Sequence, residues 1–172
     1  EVDVALGHAQ IPQILSQFGY KLYKIYRPCD VFEAKNVPSA FIWKGFDGSK
    51  IAVVRCDYSA FDWTGTENVN TTDEATAYVY NNAKNPLKYS TSNLVWVNCG
   101  CDDTFPFKTN QANNNGTVYD VDMQKVISLY PSNLNGSIKM ASPTEFYEEL
   151  KGYLDELKTL NGDIDCCDVS YN

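Results

Sequence analysis

The order in which helical and extended patterns follow one another constrains the fold of this chain more than any single motif. Apolar residues recur at helical spacing in several segments, and apolar or β-branched runs bounded by turn residues lie between them. Helices are predicted over residues 9–18, 73–83, 120–130 and 142–160, and strands over 20–26, 41–45, 50–56, 93–98 and 137–140. This alternation is typical of an α/β domain with a mainly parallel sheet.

Two local signals define element ends. Asp47 and Gly48, between the second and third strand patterns, predict a tight hairpin because Asp-Gly adopts the turn that joins two antiparallel strands. Ser142, Pro143 and Glu145 form a capping-box pattern that begins the last helix. The buried stripe of that helix is predicted to comprise Phe146, Leu150, Leu154 and Leu157.

Composition restricts the classes of partner. The 172 residues, 44% of them hydrophobic, suffice for one globular domain with a sizeable core. With 14 basic and 22 acidic side chains the net charge is -8, which argues against nucleic acid or an anionic membrane as a partner. No run approaches the ~20 apolar residues of a membrane span, and no signal-peptide pattern is seen. We therefore expect a soluble, mature or internal segment.

The cysteines and the glycosylation patterns indicate the compartment. The six cysteines include no C-x-x-C pair, so disulfides are favoured over a zinc knuckle. Cys99 and Cys101 flank Gly100, and a disulfide from one of them would hold that loop. Acceptor patterns for N-glycosylation begin at three asparagines, which predicts the secretory route. These acceptors are Asn70, Asn115 and Asn135.

Acidic residues lie where an α/β fold gathers its functional groups, in the loops after strands. Asp102 and Asp103 follow the predicted strand 93–98, and Asp3 precedes the first helix. Two carboxyl groups that face each other across a sugar can hydrolyse a glycosidic bond. The structural alternative is that Asp3 is a first-turn acid of the helix and that Asp102 and Asp103 are ordinary turn residues.

The histidine and two of the tryptophans also have both a structural and a functional interpretation. His8 is the only histidine in the chain, and one histidine cannot make a metal site, so a half-buried, hydrogen-bonded role is favoured. Most of the aromatic side chains are expected in the core. Trp43 and Trp63, near the ends of predicted strands, are candidates to stack on the face of a sugar.

Several motifs, taken together and in order, resemble a known family. They are GHAQIPQILSQFGY at 7–20, YRP at 26–28, PSAFIWKGFDGSKIAVV at 38–54, GCDDTFPF at 100–107 and SIKMASPTEFYEELKG at 137–152. The series resembles the middle part of the catalytic domain of glycoside hydrolase family 38, the class II α-mannosidases. It covers most of the chain from Asp3 to about Tyr153.

The resemblance implies an incomplete seven-stranded β/α barrel with mainly parallel strands, of which residues 1–172 form a single segment truncated at both ends. It implies a retaining enzyme that hydrolyses terminal α-mannosides of mannose-containing glycans. Asp3 would be the nucleophile and a zinc ligand, Asp102 the acid/base and Asp103 the alternate. The remaining zinc ligands would come from outside this chain, so its partners would be the other segments of the same secreted or lysosomal protein.

The sequence departs from the family pattern at the proposed nucleophile. The family places three residues between nucleophile and histidine, whereas four separate Asp3 from His8, so strict register puts Val4 at the nucleophile position. Either an inserted residue returns Asp3 to its place, or the nucleophile is lost. In the second case the chain is an inactive relative that acts as a carbohydrate-binding or structural glycoprotein.

Overall fold

A computed structural model of the chain describes residues 7–26, 29–55, 90–97 and 137–164, with the shorter stretches 73, 76–77, 80, 111–112, 118–119 and 127–128. Contacts between Cα atoms divide the chain into two compact units. One comprises Glu1–Cys56, Asn85–Trp96 and Ala141–Asn172, and the other comprises Asp57–Lys84 and Val97–Met140. Across the described residues, no helix is both long and apolar enough to cross a membrane.

The first unit holds most of the described elements. In chain order they are α1 (Ile11–Gln17), β1 (Leu22–Ile25), α2 (Cys29–Ala34), β2 (Ala40–Lys44), β3 (Lys50–Arg55), α3 (Pro143–Leu150), a 3-10 turn (Lys151–Tyr153) and a last strand (Thr159–Asn161). In the second unit, β4 (Gln111–Ala112) and β5 (Val118–Tyr119) form an antiparallel pair. The last strand is therefore β6.

The sheet of the first unit is mixed and mostly parallel. Its strand order is β1-β3-β2-β6, in which β1 is parallel to β3 and β2 is parallel to β6. Only the β2–β3 hairpin is antiparallel. These pairings agree with the predicted α/β class. The seven-stranded barrel stays a prediction, because the described sheet has four strands.

The predicted hairpin is confirmed, and its turn has the expected chemistry. Gly48 has φ +86°, a backbone conformation that glycine adopts without strain. Oδ1 of Asp47 accepts hydrogen bonds from the backbone N–H of Ser49 at 3.0 Å and from its hydroxyl at 2.6 Å. The turn aligns Ala40 with Val54 and Lys44 with Lys50.

One side of the sheet, which we call the α1 face, is filled by large side chains of the strands themselves. Its cluster also includes Ile164 from the segment after β6, and Ile11 and Leu15 of α1 pack against it. Ile14 and Phe18 share the helical spacing of α1 but are exposed. The buried members are Tyr23, Ile25, Phe32, Val37, Phe41, Trp43, Ile51, Val53 and Ile164.

The opposite side, the α3 face, is filled mainly by helix side chains. The strands contribute Ala40, Ala52 and Val54, over which Phe146, Leu150 and Leu157 are buried. Burying a large apolar side chain fully is worth about 1.5–3 kcal/mol, so Phe146 and Leu150 both stabilise the docking of α3. The predicted burial of Phe146, Leu150 and Leu157 is confirmed, whereas Leu154 is only partly buried, and Leu154 and Leu157 follow the end of α3.

The predicted capping box at the start of α3 is also confirmed. The Ser142 hydroxyl oxygen accepts from the N–H of Glu145 at 3.3 Å, and the Glu145 carboxylate accepts from the N–H of Ser142 at 2.7 Å. Two backbone donors that the helix leaves unpaired at its start are thereby satisfied.

The prediction of one helix over 142–160 is wrong at its end. The α-helix stops at Leu150, a 3-10 turn follows, and the chain then forms β6. Gly152 is a poor helix former, and the N–H of Ile42 donates to the carbonyl of Lys158 at 2.9 Å as the chain joins the sheet. Pairing with β2 therefore replaces the last helical turns.

Two predicted strands and one missing helix are further corrections. Residues 93–97 and 137–140 form no strand; Asn93 has φ +56°, and the 93–97 run instead packs Leu94 and Trp96 on the α3 face. Helix α2 was not predicted. Described positions within the helices expected at 73–83 and 120–130 are helical.

Candidate functional site

Most of the predicted site residues lie outside the described residues. These are Asp3, Asp102, Asp103, Trp63 and the glycosylation acceptors Asn70, Asn115 and Asn135. The cysteine side chains lie outside them as well. The placement of the proposed carboxylates therefore stays a prediction, and the described part of the chain begins at Gly7, four residues after Asp3.

That segment, Gly7–Ala9, is tied to the far end of the chain by two hydrogen bonds. Oδ1 of Asp163 accepts from the backbone N–H of Ala9 at 2.7 Å. The N–H of Ile164 donates to the carbonyl of Gly7 at 3.0 Å. Ala9 is fully buried, so its N–H has no access to water and depends on Asp163 for a partner.

The residues that make these bonds are themselves held by β2. The N–H of Gly162 donates to the carbonyl of Lys44 at 3.2 Å, which continues the β2–β6 ladder by one step. The indole N–H of Trp43 donates to the carbonyl of Gly162 at 2.7 Å. Asp163 is thus placed by its attachment to β2.

Gly45, the residue after β2, lies close to the backbone of Ala9. A Cβ atom at this position would lie 2.9 Å from the carbonyl oxygen of Ala9 and 3.1 Å from the hydroxyl oxygen of Ser49. Such a distance is shorter than van der Waals contact allows. Glycine is therefore required here, because the Ala9 backbone occupies the space of a side chain.

His8 is exposed, so the expectation of a half-buried histidine is wrong, while the expectation that it is hydrogen-bonded is confirmed. Nδ1 of His8 accepts from the N–H of Gln10 at 3.2 Å, and its carbonyl accepts from the N–H of Ile11 at 2.9 Å. Both bonds organise the start of α1.

Trp43 is a correction to the predicted sugar-stacking residues. Its side chain is fully buried in the α1 face, with its ring centroid 6.2 Å from that of Tyr23. A ring without an exposed face cannot stack on a sugar. The apolar pattern of β2 explains the burial, since Phe41 and Trp43 point to the same side of the strand.

An open groove of about 530 Å³ borders the first unit. Its lining includes Lys21, which precedes β1, and Lys50, which begins β3, together with Tyr20 and Asp155. Functional groups of parallel α/β folds gather at the opposite, carboxyl ends of such strands. We therefore do not place the candidate catalytic site in this groove.

At the carboxyl end of β3, Arg55 fastens the entry to β2. Its Nη1 donates to the carbonyl of Val37 at 2.7 Å, and its guanidinium lies 5.1 Å from the centre of the Phe32 ring. Sequence reasoning singled out neither Arg55 nor Asp163. Asp163 is one of 22 acidic residues, and no local pattern marks it as the partner of Ala9.

Comparison with protein-family models matches residues 3–163 to the N-terminal domain of the glycosyl hydrolases of family 38. No curated protein matches the sequence. The matched range begins at Asp3, ends at Asp163 and includes the hairpin, the capping box and the Gly7–Ala9 segment. The chain therefore belongs to glycosyl hydrolase family 38, to which it is related through the N-terminal domain of that family.

Proposed function

We propose that this chain is part of a retaining α-mannosidase that hydrolyses terminal α-mannosides of glycans. The observation that carries the proposal is the family match over residues 3–163.

In the proposed reaction a carboxylate oxygen of Asp3 attacks the anomeric carbon of the mannoside. The carboxylic acid of Asp102 donates its proton to the glycosidic oxygen, and the bond between that oxygen and the anomeric carbon breaks. Asp102 then accepts a proton from water, whose oxygen attacks the anomeric carbon and releases Asp3. Asp103 is the alternate acid/base. The carboxyl groups of the nucleophile Asp3 and of the acid/base would lie about 5–5.5 Å apart.

The proposal includes a zinc ion, for which Asp3 would be one ligand. Among the described residues, no three His, Cys, Asp or Glu side chains come together in a way that would hold a metal ion. A zinc site needs three or four protein ligands, so Asp3 would act together with ligands from outside these 172 residues. The bound ion would orient hydroxyl groups of the mannose.

The wider setting is proposed on the same grounds. The chain would form the middle part of an incomplete seven-stranded β/α barrel and would act with the remaining segments of the same protein. Trp63 is the remaining candidate for stacking on the sugar. Glycosylation at Asn70, Asn115 and Asn135 and disulfides among the cysteines would accompany a secreted or lysosomal location.

The test is hydrolysis of an aryl α-mannoside by the intact protein that contains this chain. We expect activity that a chelator abolishes and zinc restores, with α-mannose as the first product by NMR. Asp3→Asn should lower kcat by about 10³-fold or more, because the nucleophile is lost. Asp155→Asn is the matched control, since Asp155 is an exposed acid. An intact protein that is inactive with zinc present would overturn the enzyme proposal.

The second candidate is an inactive family relative that binds carbohydrate or serves as a structural glycoprotein. The observation that favours it is Val4, which strict family register places at the nucleophile position. Its test is binding of mannose-containing glycans by an intact protein that shows no turnover. A covalent mannosyl adduct on Asp3, trapped with a fluorinated mannoside and located by mass spectrometry, would exclude this candidate.

A further inference from the structure

We propose that the open groove of the first unit is a second, non-catalytic carbohydrate site, and that its ligand is an anionic sugar, whose ring carries a phosphate or a carboxylate. The groove has a volume of about 530 Å³, within the range of about 300–1,000 Å³ that is usual for small-molecule sites. Lys21 and Lys50 place it at the amino ends of β1 and β3. A ligand here would bind whether or not the protein hydrolyses α-mannosides.

Two lysines give the groove its charge. Lys21 precedes β1 and Lys50 begins β3, and because these strands are parallel neighbours, both residues lie at the same edge of the sheet. Among the residues that the structure describes, no carboxylate forms an ion pair with either ammonium, whereas Lys151 pairs with Glu148 at 2.9 Å. The lining holds one acid, Asp155, against the two lysines, although the whole chain has a net charge of -8. The groove therefore favours an anionic group on its ligand.

Two tyrosines of the lining supply apolar surface for a sugar ring. Tyr20 is 59% exposed, and its backbone N–H donates to the carbonyl of Leu15 at 3.0 Å. Gly19, with φ +81°, lets the chain turn out of α1 just before it. Tyr147 of α3 is half-buried and packs against the α3 face. A tyrosine combines an apolar ring with a hydroxyl group, which suits a ligand that has both kinds of surface.

The other polar groups of the lining match sugar hydroxyls. The Asp155 carboxylate can accept hydrogen bonds, and the Thr159 hydroxyl can both donate and accept them. Both residues are exposed. A bare anion would use the lysines alone and would be repelled by Asp155. A sugar with one anionic group uses both sets, with the anion at the lysines and the neutral hydroxyls at Asp155.

The walls of the groove are tied to one another before any ligand binds. The Ser16 hydroxyl donates to the carbonyl of Lys50 at 3.2 Å, which joins α1 to β3. The N–H of Ile42 donates to the carbonyl of Lys158 at 2.9 Å, which joins β2 to the chain just before Thr159. Preformed walls lower the entropy that a small ligand loses with its site on binding.

The test is a titration of the intact protein, followed by ligand-detected NMR, with glucose 6-phosphate, methyl β-glucuronide and methyl β-glucoside. We expect the anionic sugars to bind about 10-fold more tightly than the neutral glucoside, and the tighter of the two identifies the preferred anionic group. Lys21→Gln and Lys50→Gln should each weaken their binding about threefold, and the double variant about 10-fold, because exposed ion pairs are individually weak. Lys35→Gln, at an exposed lysine outside the lining, is the matched control and should change nothing.

Tyr20→Ala separates a sugar site from a site for a bare anion. It should weaken the binding of charged and neutral sugars about threefold or more and leave the binding of inorganic phosphate unchanged. Amide hydrogen exchange in β2 and β3 should be the same in all variants, because the substituted side chains are exposed. Equal binding of charged and neutral sugars, equal losses in Lys35→Gln and Lys50→Gln, or inorganic phosphate that binds as tightly as glucose 6-phosphate would overturn the proposal. Failure to hydrolyse an aryl α-mannoside would count against the proposed function alone.

Discussion

The two faces of the four-stranded sheet solve the same packing problem in opposite ways. On the α1 face the strands supply the bulk, with Tyr23, Phe41 and Trp43 among the buried residues. On the α3 face the fully buried strand residues are smaller, Ala40, Ala52 and Val54, and the larger buried side chains are Phe146 and Leu150 of α3 and Leu157 after it. Interiors are close-packed, so large side chains on one layer require small ones on the facing layer.

The two faces also differ in which chain segments meet beside them. Helix α1 follows directly on the start of the described chain. The Gly7–Ala9 segment and the residues after β6 meet there. The α3 face, in contrast, is covered by α3 and by Leu94 and Trp96.

Trp43→Ala should have the largest effect and should act on both core and site. The variant removes a fully buried indole and its bond to Gly162, so we expect a loss of about 3–5 kcal/mol in the free energy of unfolding. Trp43→Phe keeps most of the packing and isolates the hydrogen bond, worth about 0.5–1.5 kcal/mol. Denaturant unfolding gives both values, and exchange at Ala9 should rise in both variants. An unchanged exchange rate at the Ala9 amide would show that packing on the α1 face does not hold the Gly7–Ala9 segment.

Leu150→Ala should destabilise the protein strongly without reaching the site. Leu150 is fully buried on the α3 face, so truncation should cost about 2–5 kcal/mol by denaturant unfolding. Under native conditions, exchange at Ala9 should be no faster than the lower global stability requires. Selective acceleration at Ala9 would contradict the division between the two faces.

Ser142→Ala should have a moderate effect confined to the start of α3. Loss of the hydroxyl that caps the N–H of Glu145 should lower the free energy of unfolding by about 1 kcal/mol. Thr144→Ala, at an exposed neighbouring position, is the control and should change stability by less than about 0.5 kcal/mol. Equal losses in the two variants would refute a capping role.

Ser49→Ala should have the smallest effect, which is best measured through the pKa of the Asp47 carboxyl. Hydrogen bonds from the side chain and then the backbone of Ser49 hold the pKa of Asp47 below its ordinary value. Since the folded pKa is lowered, these bonds stabilise the turn above the ordinary pKa and are lost as pH falls through the folded one. NMR titration of the Asp47 carboxyl should show its pKa rising in Ser49→Ala. If the pKa of Asp47 does not rise, the backbone N–H of Ser49 is enough to hold it below its ordinary value.

Elements that depend on interactions between residues close in sequence were predicted from the sequence. The hairpin follows from Asp47 and Gly48 between two apolar runs, and the start of α3 follows from Ser142 and Glu145. In each case the interacting groups are within three residues of one another. Neither feature depends on which distant segment packs against it.

Elements that depend on contacts with distant parts of the chain were not predicted from the sequence. Residues 93–97 have the composition of a strand, yet no strand partner is paired with them among the described residues, and they pack by side chains instead. Thr159–Asn161 follow a helical pattern but pair with β2, whose edge offers unpaired backbone groups. The burial of Trp43 needs, besides the apolar pattern of β2, the residues that pack against that side of the strand, and these are distant in sequence.

The sequence by itself determined the family, because motifs in a set order along residues 3–163 are a property of the chain alone. It also determined the hairpin and the helix cap, whose hydrogen bonds close over short loops. Only the tertiary structure decided that Asp163 holds Ala9 and that Gly45 has no room for a side chain. Such contacts join residues far apart in sequence, so they exist only once β6 has paired with β2.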